Sequence, residues 1–504
     1  MIGTRFVEAV PRSALYYILF PLILLLIPVV LWSSVSAEQA PSATPLWLAV
    51  PEPVSFGPDP VYLISLGAIG FLAIAMLAFE ASRAAFSLHL AHWIFVYVFL
   101  FATPIVQYKI GVFPWGRLTS LETNTLLLAN TAILLWCISW ITCRFAQIPI
   151  LDKIKAPIGP RISTGGIWLS LVLAVLATAY LLVHLGIGSL LTRADDYEAS
   201  LGISSLGLIT ERLFRSLPIA AVAGALVLLR RRSVSLATRL MVLVASTVLM
   251  LIADFPLGTA RYIVGAIFIG IFLDLFGRYL RTGWTLVFLL IGGLLLVFPL
   301  LSTLRYITSP GDVATYLGGF NFLGPSLATG DFDAYSMVGY TAHYIEQGPG
   351  ITYGWQLAGV VFFFVPRSLW PDKPVGSGYT VATEGGLDFN NVSSSPLAEG
   401  LINFGWLGIV VFAVALCWIF GTADASFQRA YTEGGASFVR AIYPFWIGLV
   451  FFLMRGDLLS ATAFIVAFSV SFVPLLVHLP SLAALRRSWL AVANQAVRIR
   501  RGSS

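Results

Sequence analysis

Twelve apolar stretches of about 17 to 25 residues, each long enough to cross a hydrocarbon core of roughly 30 Å, constrain this chain more than any motif. They fall near 14–33, 60–80, 88–104, 121–143, 166–187, 214–230, 238–254, 261–277, 284–303, 397–421, 439–455 and 458–478. Open sheet edges cannot face hydrocarbon, and these runs are continuous where barrel strands alternate, so the spans are expected to be α-helices. With 58% hydrophobic and 11% charged residues, the composition is far from the roughly 25% charged residues of a soluble domain. The expected fold class is all-α: a polytopic transmembrane bundle of about 12 spans.

The net charge of +6 does not point to a nucleic-acid partner, because the basic residues lie in short groups between apolar runs, the pattern of membrane topology. With both termini cytoplasmic, 20 of the 30 Lys and Arg fall inside, against only 6 of the 24 acids. Residues 479–504 then form a basic cytoplasmic tail, and 304–396 a large extracytoplasmic loop. The first span also resembles a secretory signal, with Arg5 and Arg12 before it and Val35, Ser36 and Ala37 after it; its length favours a retained anchor. Cys137, Cys143 and Cys417 lie in or at the ends of apolar runs, which suits neither a disulfide framework nor a metal site. No internal repeat is visible.

The large loop is too long to be structureless, and is expected to fold back on the membrane and carry function. Within it, residues 354–365 are apolar but too short to span; they read as a re-entrant or interfacial helix stopped by Pro366. Several cations stand where spans meet this side: Arg261, Arg305, Arg367, Lys373 and Arg455. An array of guanidinium groups suits a diphosphate, since Arg grips phosphate oxygens with two parallel donors. Taken singly, each also reads as a lipid-headgroup anchor or the partner of a nearby acid such as Asp254 or Asp457.

Candidate proton acceptors come from the same region. His343 precedes Glu346 by three residues, which puts both on one helical face, and Glu399 stands at the mouth of the tenth span. The plainer readings are a hydrogen-bonded structural contact for the first pair and, for Glu399, a carboxylate favoured by a helix N-terminus after Ser395 and Pro396. Trp370, Tyr379 and Asn391, set among other aromatics and amides, suit sugar faces and hydroxyls; interfacial belts use the same residue types. Asp331 and Asp333 are spaced to touch one cation, but no recognisable metal motif is present. Phosphate-binding Gly-rich loops, HExxH and GxSxG patterns are also missing, so nucleotide hydrolysis, zinc hydrolysis and a nucleophile elbow have no support.

The stretch Pro366-Arg-Ser-Leu-Trp-Pro-Asp-Lys-Pro374, followed by Ser393-Ser-Ser-Pro396, Glu399 and Asn403-Phe-Gly405, resembles the Wzy-type O-antigen and oligosaccharide repeat-unit polymerases. About forty residues carry the motif, and the many spans and late large loop agree in layout. The resemblance implies a membrane-embedded glycosyltransferase of the GT-C type in the bacterial cytoplasmic membrane, with its active site facing the periplasm or exterior. It would act without cofactor, metal or nucleotide sugar, moving a growing glycan from undecaprenyl diphosphate onto a new lipid-linked repeat unit. Arg367 and Lys373 would be the motif's cations and Glu399 its acid; a chain-length regulator and a flippase would be partners, alongside membrane lipid. O-antigen ligases share the layout and use a loop histidine, which keeps His343 as a base. A transporter or flippase of lipid-linked saccharides is the reading from another class, and would call for ionisable residues deep within spans.

Overall fold

The computed structural model describes residues 15–35, 59–115, 123–146, 159–191, 205–256, 258–300, 323–387 and 389–478. The described residues form helices joined by turns and irregular segments, with no strand among them and one isolated bridge, between Arg161 and Ser437. Eleven of the described helices are long and apolar enough to cross a membrane, and α1 (Leu15–Ser34) supplies the twelfth apolar helix. The protein is a multi-pass, all-α membrane protein. Arg305, the basic tail and the Pro- and Ser-rich stretch after α1 lie outside the described residues.

In chain order the spans are α2 (Pro60–Arg83), α3 (Leu88–Ile110), α4 (Thr123–Phe145), α5 (Thr164–Leu191), α6 (Ser205–Leu229), α7 (Leu236–Ala253), α8 (Arg261–Phe276) and α9 (Gly283–Leu300). The large loop then supplies four short helices: α10 (Leu323–Leu327), α11 (Ala334–Gln347), α12 (Trp355–Val361) and α13 (Ser377–Glu384). The last spans are α14 (Pro396–Thr432), α15 (Phe438–Arg455) and α16 (Leu458–Ser471). Loop residues 354–365 thus form a single seven-residue helix, α12, and a turn, with Tyr353, Trp355, Phe362, Phe364 and Leu369 exposed around it.

The chain divides into two compact units. One draws on Met1–Pro157, Phe268–Thr432 and Pro444–Ala463. In it, α4 packs on α2, α11 and α14, and α3 lies buried along almost its whole length. Polar side chains of these spans tie down the loop. Gln107, fully buried in α3, donates to the carbonyls of Leu327 and Phe332 (2.8 and 3.0 Å), while Tyr335 of α11 donates to Asn130 of α4 (2.8 Å). In apolar surroundings such bonds have no water to compete with them, so they fix α11 against the bundle.

The second unit draws on Ile158–Ile267, Glu433–Tyr443 and Phe464–Ser504. There α5, α6 and α7 pack on one another. A buried pair, Arg215 to Glu211 at 2.7 Å one helical turn apart, staples α6 to α7 through an Arg215 bond to the Ala253 carbonyl (2.6 Å). Arg261, half-buried at the start of α8, belongs to this unit.

The tenth span differs from the single helix expected over 397–421. At 37 residues, an unbroken α14 would be roughly 55 Å long, well beyond the hydrocarbon core. It breaks at Phe404 and Gly405, the latter at φ 63° and ψ −149°, a region open to glycine and costly for other residues. Asn403, fully buried, holds the break. Its amide donates to the Glu399 carbonyl (2.9 Å) and accepts from the Leu357 N–H of α12 (3.0 Å). The Asn403-Phe404-Gly405 motif therefore builds a corner that ties the loop to the start of this span.

Candidate functional site

All side chains of the site belong to the first unit, and the two-residue turn Gly456-Asp457 between α15 and α16 is where they meet. Arg455 ends α15. Its Nη2 donates to the Gly330 carbonyl (2.5 Å) and lies 3.4 Å from Oδ1 of Asp333, an ion pair and not a well-formed hydrogen bond. About a third of the Arg455 side chain is exposed, whereas Asp333 is fully buried. A carboxylate out of water requires a charge or several donors. Asp333 has both, because Oδ2 accepts from the Trp115 indole N–H (2.7 Å) and the Ser393 amide (3.1 Å).

Asp333 directly precedes α11, where an Asp ordinarily caps the helix, yet its side chain makes no capping bond. It bridges instead to three separated segments. Trp115 adopts φ 67°, a left-handed conformation that costs a non-glycine residue about 1–2 kcal/mol. Its ring is held by Asp333 on one edge and by offset stacking on Phe389 (4.7 Å, 14°).

Two carboxylates stand on the other side of the turn. Ser395 and Pro396 open α14 as the sequence implies, with the Ser395 hydroxyl accepting from the Ala398 amide (3.3 Å). This cap places Glu399 in the first turn, where it is buried at 1% exposure. Its Oε2 accepts from the Ser377 hydroxyl (2.7 Å) and its Oε1 from the Leu458 amide (3.2 Å), so one side chain joins α13, α14 and α16. Asp457 is half-buried and caps α16 through the Ser460 amide (3.2 Å), while its second oxygen accepts from the Gly378 amide (3.3 Å). Burial pushes the Asp457 carboxyl above its usual range, against the pull of those amide bonds. Ser377 and Gly378, adjacent in α13, thus link the two carboxylates, the Ser377 hydroxyl holding Glu399 and the backbone amides of both facing Asp457.

The other predicted residues are placed as follows. Arg367 is exposed and donates to the carbonyls of Lys373 (2.6 Å) and Pro374 (3.3 Å). Lys373 is buried, its ammonium donating to the carbonyls of Phe363 (2.6 Å) and Val365 (3.1 Å); burial, with Arg367 adding to it, lowers its pKa. Both cations of the proline-rich motif thereby close its turn. Trp370 packs edge-on against Trp355 of α12 (5.5 Å), and Tyr379 and Asn391 are exposed.

His343 is half-buried in α11 and lines a small hollow with Tyr340, Tyr344, Val381, Gly385 and Leu387. Glu346 is exposed one turn further on, and no bond joins the two among the described contacts. Ten residues of helix separate His343 from Asp333, about 15 Å at 1.5 Å per residue, so the histidine stands well away from the Arg455 corner. Glu399 is the predicted proton acceptor that shares the turn with Arg455.

Asp333, Asp457 and Trp115 were not among the predicted site residues. In sequence, Asp333 stands only beside Asp331 as a possible cation ligand and Asp457 only as an acid near Arg455; each precedes a helix, and nothing local distinguishes an Asp that bonds its own helix from one that does not. Among the described residues no group of three or more His, Cys, Asp or Glu is placed to hold a metal ion. Compared with known proteins, the chain matches no family profile, no curated protein and no solved structure.

Proposed function

We propose that this protein is a glycan polymerase that transfers a growing chain from a lipid diphosphate to a lipid-linked oligosaccharide repeat unit at the outer face of the bacterial cytoplasmic membrane. The motif from Pro366 to Gly405 supports the family, and one structural observation carries the chemistry. A single turn collects Arg455, whose side chain is about a third exposed, and the carboxylates of Asp457 and Glu399.

In the proposed reaction the bond from the anomeric carbon to the diphosphate oxygen breaks, its electron pair leaving with the lipid diphosphate. A bond from an acceptor hydroxyl to that carbon forms. Arg455 faces the charge that grows on the leaving oxygen, the point where a fixed cation lowers the barrier most. The acceptor's proton passes to the carboxylate pair, of which Asp457 is the more accessible member and Glu399 its buried neighbour. Arg367 and Lys373 shape the wall of the loop in this account. Direct displacement inverts the anomeric centre.

Purified protein reconstituted with a lipid-linked repeat unit, and no nucleotide sugar, is expected to yield longer lipid-linked glycans with inverted linkages. Retained linkages would exclude direct displacement. Movement of the lipid-linked unit across vesicles without any elongation would replace the enzyme with a transporter, and transfer to a different acceptor would make it a ligase.

A further inference from the structure

Of the five cations the sequence offers, the described contacts separate three within this unit. Lys373 is buried on two carbonyls and Arg367 closes its own turn, so the donors of both are directed at backbone. Arg455 is different: among the described residues only Nη2 has partners, Gly330 and Asp333; Nε is buried without a bond, Nη1 has no partner, and about a third of the side chain reaches solvent. An arginine held by one terminal nitrogen, with the other terminal nitrogen unmatched, is arranged to present its Nη end to a ligand with adjacent acceptor oxygens.

What holds it is Asp333. Its position is fixed independently of Arg455, by the Trp115 indole, by the Ser393 amide and by the bonds that Gln107 makes to Leu327 and Phe332 just before it. Ser393 in turn opens the Ser393-Ser394-Ser395 run that caps α14 and places Glu399. Asp333 therefore registers the cation against the segment that carries the acid. We infer that Asp333 is a positioning residue, which sets the Arg455 guanidinium so that its free donors form the binding site for the diphosphate of the lipid carrier. This rests on the function proposed above, since it assigns that substrate's diphosphate to one arginine. Asp333 itself, fully buried, does not touch the ligand.

The test is direct binding of farnesyl diphosphate and of farnesol to the purified full-length protein in nanodiscs. The readout is the ratio of the two affinities, because a general loosening of the fold weakens both ligands together whereas misplacing Arg455 weakens only the diphosphate. Wild type is expected to prefer the diphosphate. Arg455→Gln should reduce that preference by about tenfold or more, the scale of one charge-assisted, two-donor contact. Asp333→Asn should reduce it comparably, and the double variant no further, since both remove the same interaction. Trp115→Phe, which removes the indole bond to Asp333 together with part of the ring that packs on Phe389 and Gly330, should give a smaller drop in the same ratio, and decides the matter if Asp333→Asn does not fold. An Asp333→Asn or Trp115→Phe protein that keeps the wild-type ratio while Arg455→Gln loses it would overturn the positioning role and leave the diphosphate reading standing. No preference for the diphosphate in wild type would overturn both.

Discussion

The Arg455 corner and the Pro366–Pro374 turn contain the same kinds of residue and use them in opposite ways. In the turn, Arg367 and Lys373 donate to four backbone carbonyls, which lets a chain segment with two consecutive bends and three prolines close on itself. At the corner, Arg455 makes one close bond to backbone and one ion pair, and its Nη1 has no protein partner among the described residues, with about a third of the side chain exposed. A cation is therefore informative about ligand binding only after its donors have been accounted for. By that measure the corner, more than the turn, has a cation with a donor to spare, and it is where the proposed site is drawn.

The sharpest way to break this contrast is at Arg455. Arg455→Ala should lower polymerisation by a factor of about a hundred or more, the usual scale for a lost electrostatic stabiliser, measured as repeat units transferred per folded molecule. Glu399→Gln should cost nearly as much activity. His343→Gln, at the far end of α11, should leave most of it; a His343 effect equal to that of Glu399 would return the histidine to the role of base.

Lys373→Met should act on stability. Removing the ammonium leaves two carbonyls without a donor, at a cost of about 1–3 kcal/mol, visible as a lowered Tm in detergent with activity per folded molecule retained. Gly376→Ala tests the wall between turn and corner. A Cβ at Gly376 would lie 2.3 Å from the Asp457 carboxylate, so the variant should lose about 1–3 kcal/mol and push Asp457 off the Gly378 amide.

The smallest expected effect is in pH. The Lys373 amine is lowered from 10.5 by burial and by Arg367, so between its lowered value and 10.5 the unfolded chain holds a proton that the folded chain has released. Stability should rise with pH across that window. Melting curves of Lys373→Met should lack that rise.

The fold was legible because hydrophobic length dictates it: all twelve predicted runs correspond to helices, and a loop of such length was expected to be folded. The break at Gly405 was hidden, because the apolar run continues through it and only the Asn403 bonds to α12 show why the chain turns. At the site, Glu399 and Arg455 stood out as ionisable residues at span ends. Their relation did not, since Leu458, which holds Glu399, and Asp333, which holds Arg455, are far from those residues or unremarkable in sequence. Asp333 appeared only as half of a candidate cation pair with Asp331. Its partners Trp115 and Ser393 are more than 50 residues away in either direction, and no local pattern reports such contacts.

The most direct test is to reconstitute wild type, Arg455→Gln and Lys373→Met at equal folded amounts with a lipid-linked repeat unit, and to resolve the products by number of repeats. The expected result is a ladder of longer glycans from wild type and Lys373→Met, with single units only from Arg455→Gln. Equal ladders from wild type and Arg455→Gln, or none from wild type, would contradict it.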